Sequence, residues 1–275
     1  MTDSTPDARL LAQYVDTWRE ATTAFADLAA SLSDEDWARP TDLPGWDVKA
    51  VVSHVAHLEG ALAGAEHEHA DVSDVAHVRG PMGQFTEIGV ITRRKTPPAA
   101  IVEEIRRHTA ARHQALVADP PTDPAAPAPG VFGAIGWNTA LLLRNRPLDV
   151  WMHEQDVRRA VGRPGDLDCA AADHSVSYLL ESLGYVLAKR AGGAPGTSVV
   201  ALVEGSPPAA YAVGEGGRGH RLDAVPTDPT VTLRMSRETF IRLAGGRGEV
   251  DPASVTIEGD VALGERVVAH LAVTP

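Results

Sequence analysis

The sequence contains little that would tie it to a membrane, a secretory route or a nucleic acid. Its single cysteine, Cys169, excludes an internal disulfide, and no run of about eighteen apolar residues is present to cross a bilayer. Residues 1–7 are polar and acidic and lack the regions of a signal peptide, which predicts a cytoplasmic protein. The formal net charge of -12, with no basic stripe interleaved with aromatics, argues against nucleic acid and anionic lipid as partners.

What is present indicates a globular protein of two domains. A chain of 275 residues, 44% hydrophobic and 23% charged, has the composition and length to bury more than one core. The hydrophobic pattern changes across a stretch of alanine, glycine and proline at residues 191–195, which we interpret as a linker. We therefore predict a helical domain over residues 1–190 and a smaller α+β domain over residues 196–275.

The first domain is predicted to be a four-helix bundle. Amphipathic patterns predict helices over residues 5–30, 46–65, 97–117 and 132–161, the last interrupted near Pro147. Thr5 is the expected cap of the first helix, and Pro6 is its expected first residue. Residues 66–94 are polar and rich in histidine and glycine, so no element is predicted there. A further helix is expected over residues 170–190.

The second domain is predicted to mix strands and helices. Short segments rich in β-branched residues, separated by turn residues, predict strands over residues 198–203, 209–213, 230–235 and 254–257. Ser236 is expected to cap a helix that runs to Leu243, and Asp260 is expected to cap a last helix that runs to about Leu271.

A row of ionisable residues follows the apolar side of the fourth helix. Asp149, His153 and Asp156 are spaced i, i+4 and i+7, which places them along one line of the helix surface. Burying this row is costly unless something pairs with it, and a divalent metal is the simplest partner. A third ligand must come from another helix, where His54 is a better candidate than His57, which we expect to point further outward. Two imidazoles and a carboxylate are typical of a zinc or iron(II) site with open positions.

The same residues have a plainer interpretation. An aspartate and a histidine one turn apart often form only a surface pair, and a single histidine such as His54 is often a partly buried side chain with its hydrogen bonds satisfied. Spacing alone therefore leaves both interpretations open.

Two motifs around these residues resemble the mycothiol-dependent maleylpyruvate isomerase family, within the DinB-like superfamily. The first is Leu-Pro-Gly-Trp-Asp-Val-Lys-Ala-Val-Val-Ser-His at residues 43–54. The second is Arg-Pro-Leu-Asp-Val-Trp-Met-His-Glu-Gln-Asp-Val-Arg-Arg-Ala at residues 146–160. The resemblance puts His54, Asp149 and His153 at metal-ligand positions, with aspartate where the family has glutamate. Residues 237–247 and 255–263 are similar to the sterol-carrier-like domain that accompanies these bundles.

This resemblance implies a DinB-like helical bundle, a bound divalent metal such as zinc, and mycothiol as a low-molecular-weight thiol cosubstrate. It also implies a catalytic role for Arg247. A cation that coordinates a thiol stabilises the thiolate near neutral pH, so that the sulfur can add to an electrophilic carbon.

Other residues are candidates for supporting roles. Arg112, on the apolar face of the third helix, is expected either to meet a substrate carboxylate or to extend its charged end into solvent. His108 is either a general base or a packing residue. Glu59 is either an acceptor for a ligand histidine or a member of a salt bridge, and Asp156 is expected to orient His153.

Three functions fit this sequence. The first is a mycothiol-dependent isomerase or S-transferase acting on a small electrophile. In an isomerase the thiol adduct rotates and the thiol leaves, whereas in an S-transferase the adduct is the product. The second is a non-catalytic protein that binds a small molecule, and the third is a metallohydrolase that needs no thiol. Cys169 has no visible base beside it and is not expected to act as a nucleophile. The protein is expected to be a monomer or a homodimer.

Overall fold

The computed structural model describes residues 5–274 and divides the chain into two compact units, Met1–Gly165 and Asp166–Pro275. Residues 1–4, which belong to the segment from which we predicted the lack of a signal peptide, lie outside the described residues, as does residue 275. None of the helices within residues 5–274 combines the length and apolar character that crossing a bilayer requires.

The first unit is helical where the structure describes it. Its helices are α1 (Pro6–Ala30), α2 (Asp34–Trp37), α3 (Val48–Leu62), α4 (Gly80–Thr92), α5 (Pro98–Ala118), α6 (Gly130–Ala134) and α7 (Thr139–Val161). Helix α1 begins as predicted, because the Thr5 side chain accepts a hydrogen bond from the Ala8 amide at 3.2 Å and Pro6 occupies the first turn. Helices α1 and α3 each pack against both α5 and α7. A helical first domain is thereby confirmed.

Two features of this unit differ from the prediction. Residues 66–94 contain helix α4, which packs against α3 and has too weak an apolar periodicity to be recognised from its sequence. Pro147 does not interrupt α7 but lies inside it. The break comes earlier, where Gly136 adopts a φ of +85° and the Asn138 side chain caps α7 by accepting from the Leu141 amide at 2.8 Å. The buried side chains on both sides of Pro147 keep the helix continuous across it.

The second unit combines a five-stranded sheet with short helices. Its elements are α8 (Ala170–Leu180), α9 (Leu183–Tyr185), β1 (Ser198–Val203), β2 (Ala209–Val213), β3 (Gly219–Arg221), β4 (Val231–Met235), α10 (Arg237–Gly245), β5 (Val255–Gly259) and α11 (Val261–Ala269). The strand order is β3-β2-β1-β4-β5, in which β1 and β4 run parallel and all other neighbours are antiparallel. A helical domain followed by one with a mixed sheet confirms the predicted two-domain layout.

The helix predicted over residues 170–190 is shorter than expected. It ends at Leu180 and is followed by α9 and a π-helical turn, Val186–Arg190. The chain at Gly184 passes so close to β3 that a Cβ on Gly219 would lie 1.9 Å from the Gly184 carbonyl oxygen. Helix α8 packs against α10 and therefore belongs to the second unit, which begins at Asp166. The domain boundary predicted from the sequence falls after α8 instead.

Candidate metal centre

Three side chains from two helices converge in the first unit. His54 comes from α3, and Asp149 and His153 come from successive turns of α7. One ligand atom of each lies within 4.8 Å of the others. The distances are 3.7 Å from His54 Nε2 to Asp149 Oδ2 and 3.7 Å from His153 Nε2 to Asp149 Oδ1. The structure therefore brings together the three residues predicted as ligands.

The local sequence explains why the two helices present these residues. Asp47 caps α3 by accepting from the Ala50 amide at 2.8 Å, so that His54 lies two turns into the helix. On α7 the i, i+4 spacing brings Asp149 and His153 to the same face. Helices α3 and α7 pack against each other, and the rings of His54 and His153 meet at 4.7 Å between centroids.

The electrostatics of the three groups suit a divalent cation. Burial lowers the pKa of His54 to about 4, although Asp149 opposes this shift, so the imidazole is neutral with a free lone pair. Burial disfavours ionisation of Asp149, but Arg146 and His54 outweigh it and hold the pKa of the carboxyl well below its ordinary value. Neither ring nitrogen of His54 has a hydrogen-bond partner among residues 5–274, although both are buried. Such orphaned nitrogens beside a carboxylate fit a metal ligand set.

His153 is oriented from its far side. Asp156 Oδ2 lies 3.2 Å from His153 Nδ1. Arg159 holds Asp156 in place, because its Nη2 donates to Asp156 Oδ1 at 2.5 Å and its Nε donates to Asp42 Oδ2 at 3.1 Å. A carboxylate on Nδ1 favours the tautomer that leaves Nε2 free toward Asp149. The role expected for Asp156 agrees with this geometry.

Glu59 lies fully buried behind the ligand set and belongs to a salt-bridge network. Its carboxylate accepts from Trp18 Nε1 at 3.0 Å, from Arg146 Nη2 at 2.7 Å and from Arg112 Nη1 at 3.2 Å. Arg146 also donates to Asp149 at 2.8 Å. Of the two roles considered for Glu59, the structure supports the salt bridge.

Two other candidates from α5 lie outside the ligand set. Arg112 is buried, with its guanidinium 4.3 Å above the Trp18 ring and paired with Glu59, so its charged end does not extend into solvent. Its contact with a substrate stays a prediction. His108 is half-buried, with Nε2 3.9 Å from Glu104, and its role as a base is likewise untested.

The second unit contains Arg247 and Cys169. Arg247 is buried and donates to the Gly245 carbonyl, and its catalytic role stays a prediction. Burial raises the pKa of the Cys169 thiol to about 11, which keeps it protonated and agrees with the expectation that it is not a nucleophile.

One prediction about histidine was wrong, and two residues beside the centre were missed. His57 does not point outward, because α4 covers it: its ring packs on Phe85 at 4.6 Å, and Nδ1 lies 3.4 Å from Glu68. The missed residues are Trp46, whose ring lies 5.0 Å from the His54 ring, and Glu87, which accepts from Trp46 Nε1 at 2.9 Å. Trp46 could have been found from the Pro-Gly-Trp turn, whereas Glu87 lies on the helix that was not predicted.

Comparison with known proteins identifies the same relatives for both units. A family model described as the mycothiol maleylpyruvate isomerase N-terminal domain matches residues 18–158, and one described as the MDMPI C-terminal domain matches residues 173–266. A crystal structure of the mycothiol-dependent maleylpyruvate isomerase has a TM-score of 0.54 at 20% identity, over 91% of this chain and 94% of that one. The crystal structure of a histidine-to-alanine mutant of the mycothiol-dependent maleylpyruvate isomerase has a TM-score of 0.52 at 18% identity, over the same shares of the two chains. No curated protein sequence matches significantly.

Proposed function

Because the chain belongs to the mycothiol maleylpyruvate isomerase family, we propose that it is an enzyme that uses a divalent metal, zinc, and mycothiol either to isomerise a small electrophile or to join the thiol to it. The observation that carries this proposal is the convergence of His54, Asp149 and His153, with their ligand atoms within 4.8 Å of one another. Two imidazoles and one carboxylate leave coordination positions open for a cosubstrate.

Each of the three side chains is prepared for this role by its neighbours. His54 is kept neutral by burial, Asp149 is kept ionised by Arg146, and His153 is held in one tautomer by Asp156. A divalent cation bound to these residues would lower the pKa of a coordinating thiol toward neutrality.

The proposed reaction needs no redox partner. The sulfur of mycothiol adds to one carbon of an activated double bond, and a proton is taken up at the adjacent carbon. In an isomerase the new single bond rotates, the proton is lost and the thiol leaves; in an S-transferase the adduct is the product. Asp149 is one methylene shorter than the glutamate of the family motif, and a substrate other than maleylpyruvate is compatible with that difference.

We also propose the finer architecture that the resemblance implies. The mutual packing of α1, α3, α5 and α7 supports a DinB-like four-helix bundle, and the mixed sheet with α10 and α11 supports a sterol-carrier-like second domain. A cytoplasmic location and a monomeric or homodimeric state stay predictions.

The first test is the metal content of the untagged protein. We expect about one zinc per chain, the stoichiometry of a single site, and we expect His54→Ala and His153→Ala to lose it. His69→Ala, at an exposed histidine of the same unit, is the matched control and should keep its zinc. A wild-type protein that takes up no metal from a zinc solution would exclude a metal-dependent enzyme and favour a small-molecule binding protein.

The second part of the test separates the catalytic functions. Zinc-loaded protein with maleylpyruvate or another activated alkene should turn over only when mycothiol is added, and His153→Ala should reduce turnover at least 100-fold, since loss of a ligand exceeds the roughly 10–100-fold effect of losing an outer partner. Turnover that is independent of thiol and lost in His153→Ala would favour the metallohydrolase instead.

A further inference from the structure

Trp46 forms one wall of the candidate metal centre. Its ring centroid lies 5.0 Å from that of His54 and 6.1 Å from that of His153, with the planes tilted by 43° and 41°. Trp46 is half-buried, whereas His54 and His153 are buried, so the indole lies between the two candidate ligand rings and the surface. Its position therefore affects both the orientation of the ligands and the access of water.

The two ligand histidines are oriented in different ways. His153 has a carboxylate on its Nδ1, as metal-binding histidines usually do. His54 has no such partner, because neither of its ring nitrogens is hydrogen-bonded within residues 5–274. The His54 ring instead packs between the Trp46 ring, 5.0 Å away, and the His153 ring, 4.7 Å away, so the position of Trp46 limits how the His54 ring can rotate.

Glu87 holds Trp46 in this position. The indole Nε1 donates to Glu87 Oε2 at 2.9 Å, and His77 Nε2 lies 3.0 Å from the same oxygen. The Glu87 side chain is only 2% exposed, and the guanidinium of the largely exposed Arg94 lies farther off, 3.8 Å from Glu87 Oε1. A buried carboxylate is costly to keep, and the two short contacts of Glu87 both lead to the segment that carries Trp46.

His77, the second residue in contact with the Glu87 carboxylate, packs against the turn that precedes Trp46. The Trp46 amide donates to the Leu43 carbonyl at 3.1 Å, and Gly45 has a φ of +81° in the turn between them. A Cβ on Gly45 would lie 2.3 Å from His77 Nδ1, so the imidazole packs directly on the backbone there. Glu87 thus holds the indole directly and the turn through His77.

We propose that Glu87 is a positioning residue for the metal centre, acting through Trp46 on His54. This inference rests on the proposed metal site, but it assigns roles to two residues that are not ligands. Glu87 lies outside both motifs, and Trp46 lies within the first. The consequence is that the removal of the Glu87 carboxylate weakens metal binding without touching a ligand.

The test is metal affinity measured with zinc alone, by chelator competition, together with the visible spectrum of the cobalt(II)-loaded protein. We expect Glu87→Ala to weaken zinc binding by about tenfold or more, the usual effect of losing an outer partner, and to shift the cobalt bands. Glu87→Gln, which keeps an acceptor for the indole, should restore most of the affinity. In a Trp46→Phe background, which lacks the donor, Glu87→Ala should change affinity less than twofold.

The control is Glu104→Ala, which removes a carboxylate paired with Arg93 elsewhere in the same unit and should leave zinc affinity and cobalt spectrum unchanged. Wild-type affinity and spectrum in Glu87→Ala would overturn the proposal and leave a structural role only. If Glu87→Ala does not fold, unchanged zinc affinity in Trp46→Phe overturns it equally. A wild-type protein that binds neither metal overturns the proposed function and this inference together.

Discussion

Buried charges in the first unit form a chain of pairs that ends at Asp149, the carboxylate among the candidate ligands. Glu59 accepts from both Arg112 and Arg146, and Arg146 also donates to Asp149. Two guanidinium groups and two carboxylates balance one another, so Asp149 is ionised without any bound metal. Removal of one partner of a buried pair typically costs about 3–5 kcal/mol, because it leaves an uncompensated charge. Glu59 and Arg112 therefore support the centre although neither belongs to the ligand set.

Glu68 gives the first unit a specific sensitivity to acid. Burial would raise the pKa of this carboxyl, but contacts with His57, Arg93 and Thr92 outweigh burial and lower it below its ordinary value of 4.5. A carboxyl with a lowered pKa stabilises the folded state fully above pH 4.5, its ordinary pKa. As the pH falls below that value, the unfolded chain binds a proton at Glu68 before the folded chain does, so this stabilisation is progressively lost. We expect the free energy of unfolding of Glu68→Gln to fall less steeply than that of wild type between about pH 5 and pH 3.

Urea unfolding at a series of pH values measures this difference. Glu103→Gln, at an exposed carboxylate on α5, is the control and should follow the wild-type slope. Equal slopes for Glu68→Gln and wild type would show that the contacts of Glu68 do not stabilise its ionised form.

At the scale of elements, helix α4 depends on a close approach to α3 at Gly89. A Cβ on Gly89 would lie 2.2 Å from the Cβ of His57, and neither atom can move without its backbone. We expect Gly89→Ala to lower the free energy of unfolding by about 1–3 kcal/mol, the usual cost of overpacking. Thermal or urea unfolding measures the change.

The same helix offers a matched control for that substitution. At Gly83 the nearest atom to an added Cβ is a Val78 methyl at 3.8 Å, which is an ordinary contact. Gly83→Ala should therefore stabilise the protein by up to about 1 kcal/mol through helix propensity. If both substitutions had the same sign and size, the close packing of α4 on α3 would be excluded as their cause.

At the scale of the whole molecule, all three candidate ligands lie in the first unit. A ligand that binds only the folded state stabilises it by about 2.7 kcal/mol at a concentration 100 times its Kd. We expect zinc to slow amide hydrogen exchange in α3 and α7, and to have a smaller effect in the sheet of the second unit. Mass spectrometry of the full chain measures this, and His54→Ala should show no protection. Equal protection in both units would contradict a centre built from the first unit alone.

Much of this architecture was open to prediction because it depends on residues close together in the chain. The Thr5 cap, the Ser236 cap, β1 and β2 follow from local periodicity and turn chemistry. The pairing of Asp149 with His153 follows from the helical repeat alone. His54 follows from its place at the edge of the apolar stripe of α3 and from the motif that contains it.

The tertiary structure decided what depends on distant contacts. Helix α4 is stabilised by packing on α3 rather than by its own weak periodicity, and this packing buries His57. The bond between Trp46 and Glu87 joins residues 41 positions apart, which no local pattern specifies. The sequence by itself determined which residues can serve as ligands, and it also placed Asp156 beside His153, because these spacings are local to one helix. Only the tertiary structure decided how the two helices meet and how Glu87 reaches Trp46, because those contacts join residues far apart in the chain.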